Sequence, residues 1–246
     1  MTIWYDVHGA GEPVLLLHSA ATDSEMWDPQ VEALSDRFQV IRADYRGYGR
    51  SALEPGIRYS DVEDVEEVLA ALGVTRTAVV ASSYSCSIAL QLAAGTAVEV
   101  SRMLLFNPAT GPEVTPDVKS YWLEEEELVA AGDIEGAAEL TARLLLGPHA
   151  DAPTRRHVTD MQRHAYEVQV AALPEPVQVD RDVRPADLDV PALVVCGAHE
   201  LEFFRASARN LAADLPRGEL VELDWAGHLP SLERPKEITR LIGDYL

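Results

Sequence analysis

The stretch VVASSYSCSIAL, residues 79–90, carries a Val-rich strand straight into an uncharged helical run, with only a few small residues between them. A nucleophile on so sharp a corner projects from the edge of a sheet, provided the residues two before and two after it are small, because strand and helix nearly touch. Around Ser83 those positions hold Ala81 and Ser85. Ser85 meets the same requirement, flanked by Ser83 and Ser87, so both hydroxyls are candidates; counting on from Val79, Val80 and Ala81 puts the turn at Ser83. The helix that starts there adds free N–H groups and the positive end of its dipole, so the Tyr84 amide is placed to donate to a developing oxyanion.

Outward from this corner, short apolar runs alternate with segments of helical period. IWYDV from Ile3, PVLLLH (13–18), FQVIRAD (38–44), TAVVAS (77–82), RMLLFNP (102–108), ALVVCG (192–197) and ELVELD (219–224) have the Val and Leu content of strands buried on both faces. The alternation predicts an α/β fold, a mostly parallel sheet with helices on both faces. HGAGE, between the first two runs, has glycines that suit a hairpin, so that pair is expected to be antiparallel. Ser60 followed by Asp61, Val62 and Glu63 predicts a capping box, opening a crossover helix with Val62, Val65, Leu69 and Leu72 on one face and Gly73 at its end. Residues 203–214 and 235–246 read as two further crossover helices. Between them and RMLLFNP the alternation breaks: residues 110–191 show helical patterns without a strand, which predicts an inserted helical cap over a core made of 1–109 and 192–246. The run EEEE at 124–127 opens a cap helix and reads as its solvated face.

Composition narrows the function. The 246 residues are 47% hydrophobic, enough for one enzyme-sized core, and 41 acidic against 20 basic side chains give a formal charge of −21. Such a charge repels nucleic-acid phosphates and anionic lipid headgroups, which excludes both as partners and leaves a small-molecule substrate. No apolar run approaches the roughly 20 residues of a membrane helix, and MTIWYDVHG lacks a basic region followed by an apolar stretch, so a soluble, cytoplasmic chain is expected. Cys86 and Cys196 sit in apolar runs outside any metal spacing and read as buried free thiols. Nothing in the spacing of His, Cys, Asp or Glu calls for a metal or an organic cofactor.

These residues together resemble the α/β-hydrolase family, and specifically its smaller esterase-like members with a helical cap. The family's corner usually reads G-x-S-x-G-G; Ala81, Ser85 and Cys86 stand here where glycines are usual. HSAATDSEMW (18–27) is similar to the family's H-G-x-x-G-S-S-x-x-W, which implies that Ala20 supplies a second oxyanion N–H and that His18 is structural, under the loop. DYRGYGRS (44–51) matches D-x-R-G-x-G-x-S, a turn in which Gly47 and Gly49 permit tight geometry and Asp44 and Arg46 can pair. ALVVCGAHELEFF (192–204) occupies the place of the family's strand and G-x-x-D, with Glu200 at the acidic position, and ELVELDWAGHLPSLERP (219–235) places Gly227 and His228 on a loop before a helix. The order Ser83, Glu200, His228 is nucleophile, acid, histidine. His199 adjoins its own acid and cannot easily face it; His149, His157 and His164 fall in the cap, where surface or packing roles are expected.

The resemblance implies a serine hydrolase that cleaves a small, largely apolar ester, thioester or lactone through an acyl-enzyme on Ser83, with His228 as base, Glu200 orienting it and the Ala20 and Tyr84 amides holding the oxyanion. Trp27, Tyr121, Trp122 and Leu229 are expected around the pocket. Carbon–carbon bond hydrolysis, perhydrolysis and non-catalytic ligand binding are open on the same fold.

Overall fold

The computed structural model describes residues 3–111 and 114–246; residues 1–2 of the expected core and 112–113 of the expected cap lie outside the described residues. The chain opens with β1 (Tyr5–His8), β2 (Glu12–Leu17), α1 (Asp28–Leu34), β3 (Phe38–Ala43), β4 (Arg58–Tyr59) and α2 (Asp61–Ala71). The central corner joins β5 (Arg76–Ser82) to α3 (Ser85–Ala94), and β6 (Glu99–Phe106) follows. Then come α4 (Pro116–Ala130), α5 (Ile134–Leu145), α6 (Ala152–Ala171) and β7 (Val177–Gln178). The chain closes with β8 (Ala192–Gly197), α7 (Glu202–Asp214), β9 (Gly218–Leu223), α8 (Pro230–Glu233) and α9 (Pro235–Tyr245).

Seven strands form one sheet in the order β1-β3-β2-β5-β6-β8-β9, parallel throughout except for β1 against β3. Successive side chains of a strand leave opposite faces of the sheet, and the apolar runs divide accordingly. Leu15, Leu17, Val79, Ala81, Leu105 and Val194 pack on one face against α2, α3 and α7. Val14, Leu16, Val80, Leu104 and Val195 pack on the other against α1 and α9. This is the α/β arrangement that the alternating runs imply.

Several details differ from the sequence reading. β1 and β2 are not a hairpin: β3 lies between them. The four apolar residues of β2 need a strand on each side to bury them, whereas β1, with Asp6 and a half-exposed pattern, suits the edge. Gly9 and Gly11, at φ of 72° and 127°, carry the chain across the start of β3, where a Cβ on Gly9 would lie 2.1 Å from the Ser35 carbonyl oxygen. β9, read as buried on both faces, is the opposite edge, and each of its residues is partly or fully exposed. Ser60 stands at the N-cap of α2, but its side chain makes no capping hydrogen bond; Asp61, Glu63 and Asp64 complement the first turn instead. The inserted region does hold a strand, β7, paired with β4 over two residues and too short to register as a pattern.

The helical insert, α4 to α6, leaves the sheet after β6 and returns at β8. Its Ala142, Leu146, Val158 and Met161 join the core on the α1 and α9 face, so the insert shares its burial with the sheet. EEEE occupies the second half of α4 and does not open it. Among the described residues no helix is long and apolar enough to cross a membrane.

The end of β8 is in backbone contact with the loop that follows β9: a Cβ on Gly197 would lie 2.4 Å from the carbonyl oxygens of both Ala226 and Gly227. Gly197→Ala should therefore cost about 1–3 kcal/mol through overpacking, read as a lower urea midpoint at unchanged slope. An unshifted midpoint would show that the two segments are not locked together.

Candidate active site

At the corner between β5 and α3, Ser83 adopts φ +61°; among the described residues only Asn107 shares a positive φ without being glycine. A non-glycine residue in this region is strained by about 1–3 kcal/mol and needs its surroundings to hold it there. The Ser83 amide donates to the Phe106 carbonyl of β6 at 2.8 Å, and its carbonyl accepts from the Cys86 amide at 3.0 Å. Ser83 borders a cavity of about 400 Å³ between the sheet and the insert. Ser85 does not: it is fully buried, accepts from the Tyr45 hydroxyl at 2.9 Å and donates to the His18 carbonyl. The two candidates are thereby separated. Where a glycine is usual, the Ser85 hydroxyl ties the helix start to the end of β2.

His228 borders the same cavity and is bonded to Glu200, which does not line it. His228 Nδ1 donates to Glu200 Oε2, with both side chains almost completely buried, and Glu200 Oε1 accepts from the Leu201 amide at 2.9 Å. Phe204 lies over the imidazole, ring centres 4.2 Å apart. His199, next in chain to Glu200, points to solvent. The histidine loop is fixed by its neighbours: the His228 amide donates to the Leu145 carbonyl at 2.7 Å, and the Gly227 amide to Glu233 at 3.1 Å. Burial raises the Glu233 carboxyl above its ordinary value.

Asn107 completes this bracket. Its Nδ2 donates to the His228 carbonyl at 2.8 Å and the Gly227 carbonyl at 3.2 Å, while its Oδ1 accepts from the Gly197 amide at 2.8 Å. One buried side chain thus joins the ends of β6 and β8 to the histidine loop. Sequence reasoning overlooked it; the available signal was Asn-Pro at a strand end, Asn being the residue that best tolerates a left-handed backbone after glycine.

Facing the corner is the loop after β2. Ala20 and Tyr84 both border the cavity, and among the described residues neither amide has a hydrogen-bond partner. Ser19, where glycine is usual, accepts from the Ala21 amide at 3.2 Å and so folds the loop with its own side chain. His18 lies beneath: its Nε2 accepts from the Tyr45 amide at 3.1 Å, which leaves Nδ1 to donate to the Ser19 carbonyl at 2.9 Å, and burial lowers its pKa. Asp44 and Arg46 do not pair as expected. Asp44 accepts from the amides of Ser24 and Arg50, at 2.8 and 2.9 Å, while Arg46 pairs with Asp64 at 2.6 Å. The Tyr84 hydroxyl donates to Asp61 at 2.7 Å, and burial is the main cause that pushes the Asp61 carboxyl up to about 6.

Of the four expected pocket side chains, Tyr121 and Trp122 line the cavity. Trp27 and Leu229 do not: both are fully buried in the core, Trp27 with its ring 6.4 Å from Phe106. His228 faces the cavity, which leaves its neighbour Leu229 for the sheet side. Tyr48, Tyr166, Gln162 and Glu125 are lining residues that sequence reasoning did not single out. Glu125 corrects the reading of EEEE as a solvated face, because it turns inward and accepts from Tyr121 at 3.0 Å. In the orientation that satisfies its amide, Gln162 donates to the carbonyls of Ala20 and Ala21, each at 3.1 Å. Among the described residues no group of His, Cys, Asp and Glu is arranged to hold a metal ion; both cysteines are buried free thiols.

Asn107→Ala leaves the Gly197 amide and the His228 carbonyl unpaired in the interior, and should lower unfolding free energy by about 2–4 kcal/mol; a variant of wild-type stability would remove Asn107 from the bracket. Asp61 titrates higher folded than unfolded, so between roughly pH 4 and pH 6 the native chain holds the extra proton, and its stability falls as pH rises through that window. Asp61→Asn abolishes this slope: the variant should gain about 2 kcal/mol on wild type between about pH 4 and pH 7. An equal difference at both pH values would contradict it.

The sequence matches the alpha/beta hydrolase family over residues 14–241. The "Putative carbamate hydrolase RutD" of Caulobacter vibrioides is 26% identical over 257 residues, which span 98% of this chain and 94% of that protein. Among solved structures, Est816, described as an N-acyl homoserine lactone degrading enzyme, superposes with a TM-score of 0.80 at 27% identity, covering 99% of this chain and 96% of its own. The enol-lactonase from Burkholderia xenovorans LB400 does so with 0.78 at 26%, covering 99% and 95%. With a match that runs from β2 through the Ser83 corner and the histidine loop into α9, the chain belongs to the alpha/beta hydrolase family.

Proposed function

We propose that this hydrolase cleaves a small ester, thioester or lactone by acyl transfer through Ser83. The observation that carries the reading is that one cavity is bordered by the serine on its strained corner and by a histidine whose other ring nitrogen is bonded to a buried carboxylate. In the reaction, His228 takes the Ser83 proton through Nε2 as the hydroxyl attacks the carbonyl carbon. Glu200 fixes the ring tautomer and stabilises the imidazolium that forms. The amides of Ala20 and Tyr84, free of protein partners, donate to the oxyanion of the tetrahedral intermediate. The imidazolium then protonates the leaving group, and a water activated by His228 releases the acid from Ser83. Phe204 over the ring and the roof of the insert keep bulk water from the pair.

The lactone-acting neighbours favour a carbonyl substrate of this kind. The RutD relatives favour a second reading, a carbamate carbonyl attacked by the same groups. Comparing p-nitrophenyl butyrate with an N-alkyl p-nitrophenyl carbamate separates the two, since rapid turnover of only one fixes the class. Ser83→Ala should lower kcat by about 10⁴-fold or more. A fluorophosphonate probe should label wild type at Ser83 and leave the variant unmodified. A wild-type protein that neither turns over nor reacts would be a binding module, and the enzymatic reading would fall.

A further inference from the structure

The cavity that holds Ser83 also holds a carboxylate that the acyl-transfer chemistry does not use. Glu125 on α4 is clamped through one oxygen: Oε1 accepts from Tyr121 at 3.0 Å and from Tyr166 of α6, and Thr141 of α5 stands 3.3 Å from it. Its Oε2 has no hydrogen-bond partner among the described residues, and no Lys or Arg lines the cavity to neutralise it. Burial and the Glu125 charge both raise the Tyr121 and Tyr166 hydroxyls, so they remain donors. Tying three helices together through hydroxyls does not require a charge, and a half-buried charge without a counter-ion is costly.

Tyr48, Tyr121, Trp122, Tyr166 and Phe204 also border the cavity, and aromatic rings attract cations. The net charge of −21 draws cations toward the molecule.

We propose that Glu125 is a specificity-determining residue, selecting substrates that carry an organic ammonium group away from the scissile carbonyl, with Oε2 accepting its N–H. This rests on the hydrolase reading above, and names the class of substrate for that site. An anionic substrate would meet Glu125 unpaired and be rejected.

The test compares p-nitrophenyl esters of 6-aminohexanoic, heptanoic and adipic acids, which differ mainly at the far end. Wild type should favour the ammonium ester over the heptanoate by about tenfold or more in kcat/KM, with the adipate monoester last. In Glu125→Gln the ratio of the first two should fall toward one, and Glu125→Asp, which keeps the charge, should retain the preference. A wild-type ratio of one or below, or a ratio untouched in Glu125→Gln, overturns the proposal while leaving the hydrolase reading intact. Should Glu125→Gln fail to fold, hexylammonium chloride must inhibit wild-type heptanoate hydrolysis more strongly than 1-hexanol does; equal inhibition overturns the proposal. If none of the esters is hydrolysed, the ester reading fails on its own, and calorimetry decides. Hexylammonium should then bind wild type about tenfold more tightly than 1-hexanol does, and equal affinities overturn the proposal.

Discussion

A left-handed backbone at a non-glycine residue survives only where the structure around it leaves no relaxed alternative, and the site is organised by that constraint at Ser83. The strand before it is buried on both faces with β2 and β6 as neighbours, and the helix after it sinks Ile88 and Leu92 completely into the core. Full burial of such side chains contributes about 1.5–3 kcal/mol each, which exceeds the strain at the corner. The serine therefore cannot relax without uncoupling β5 from α3. Ser83 is thus held at the border of the cavity by the packing of the strand and helix on either side of it.

A second strained residue, Asn107, ends the adjacent strand, and the two stand side by side at the carboxyl edge of the sheet. That edge is where parallel sheets place their ligand sites, because loops diverge there and amides lie open. Asn107 spends its side chain on backbone groups of β8 and of the histidine loop. Glu200 and His228, 28 residues apart in sequence, are thus set against each other by a third segment.

The insert acts on the site from above. It takes part of its burial from the sheet core, so its position over the cavity follows from the same packing. Through Leu145 it accepts from the His228 amide, through Gln162 it meets the carbonyls of the Ala20 loop, and through Glu125 it lines the cavity. Ser83 and His228 thus lie at the carboxyl edge of the sheet, and the helices of the insert cover them.

The sequence by itself determined the interior strands of the sheet, since only apolar runs can occupy positions buried on both faces, and it named Ser83, Glu200 and His228 as candidates, since each falls where an apolar run ends in a turn that resembles the family pattern. It did not determine the partner of β1, because a glycine-bearing turn serves a hairpin and a crossing over β3 equally well. Ser83 and Ser85 have the same small neighbours; the count along the strand favours Ser83, and the backbone angle at the corner and the burial of Ser85 distinguish them. Trp27 and Leu229 are apolar enough for a pocket or a core, and Glu125 belongs to a run of four identical residues, three of them solvated. Tertiary structure decided these cases because each depends on which way a side chain faces once distant segments are packed, a property that local composition does not encode.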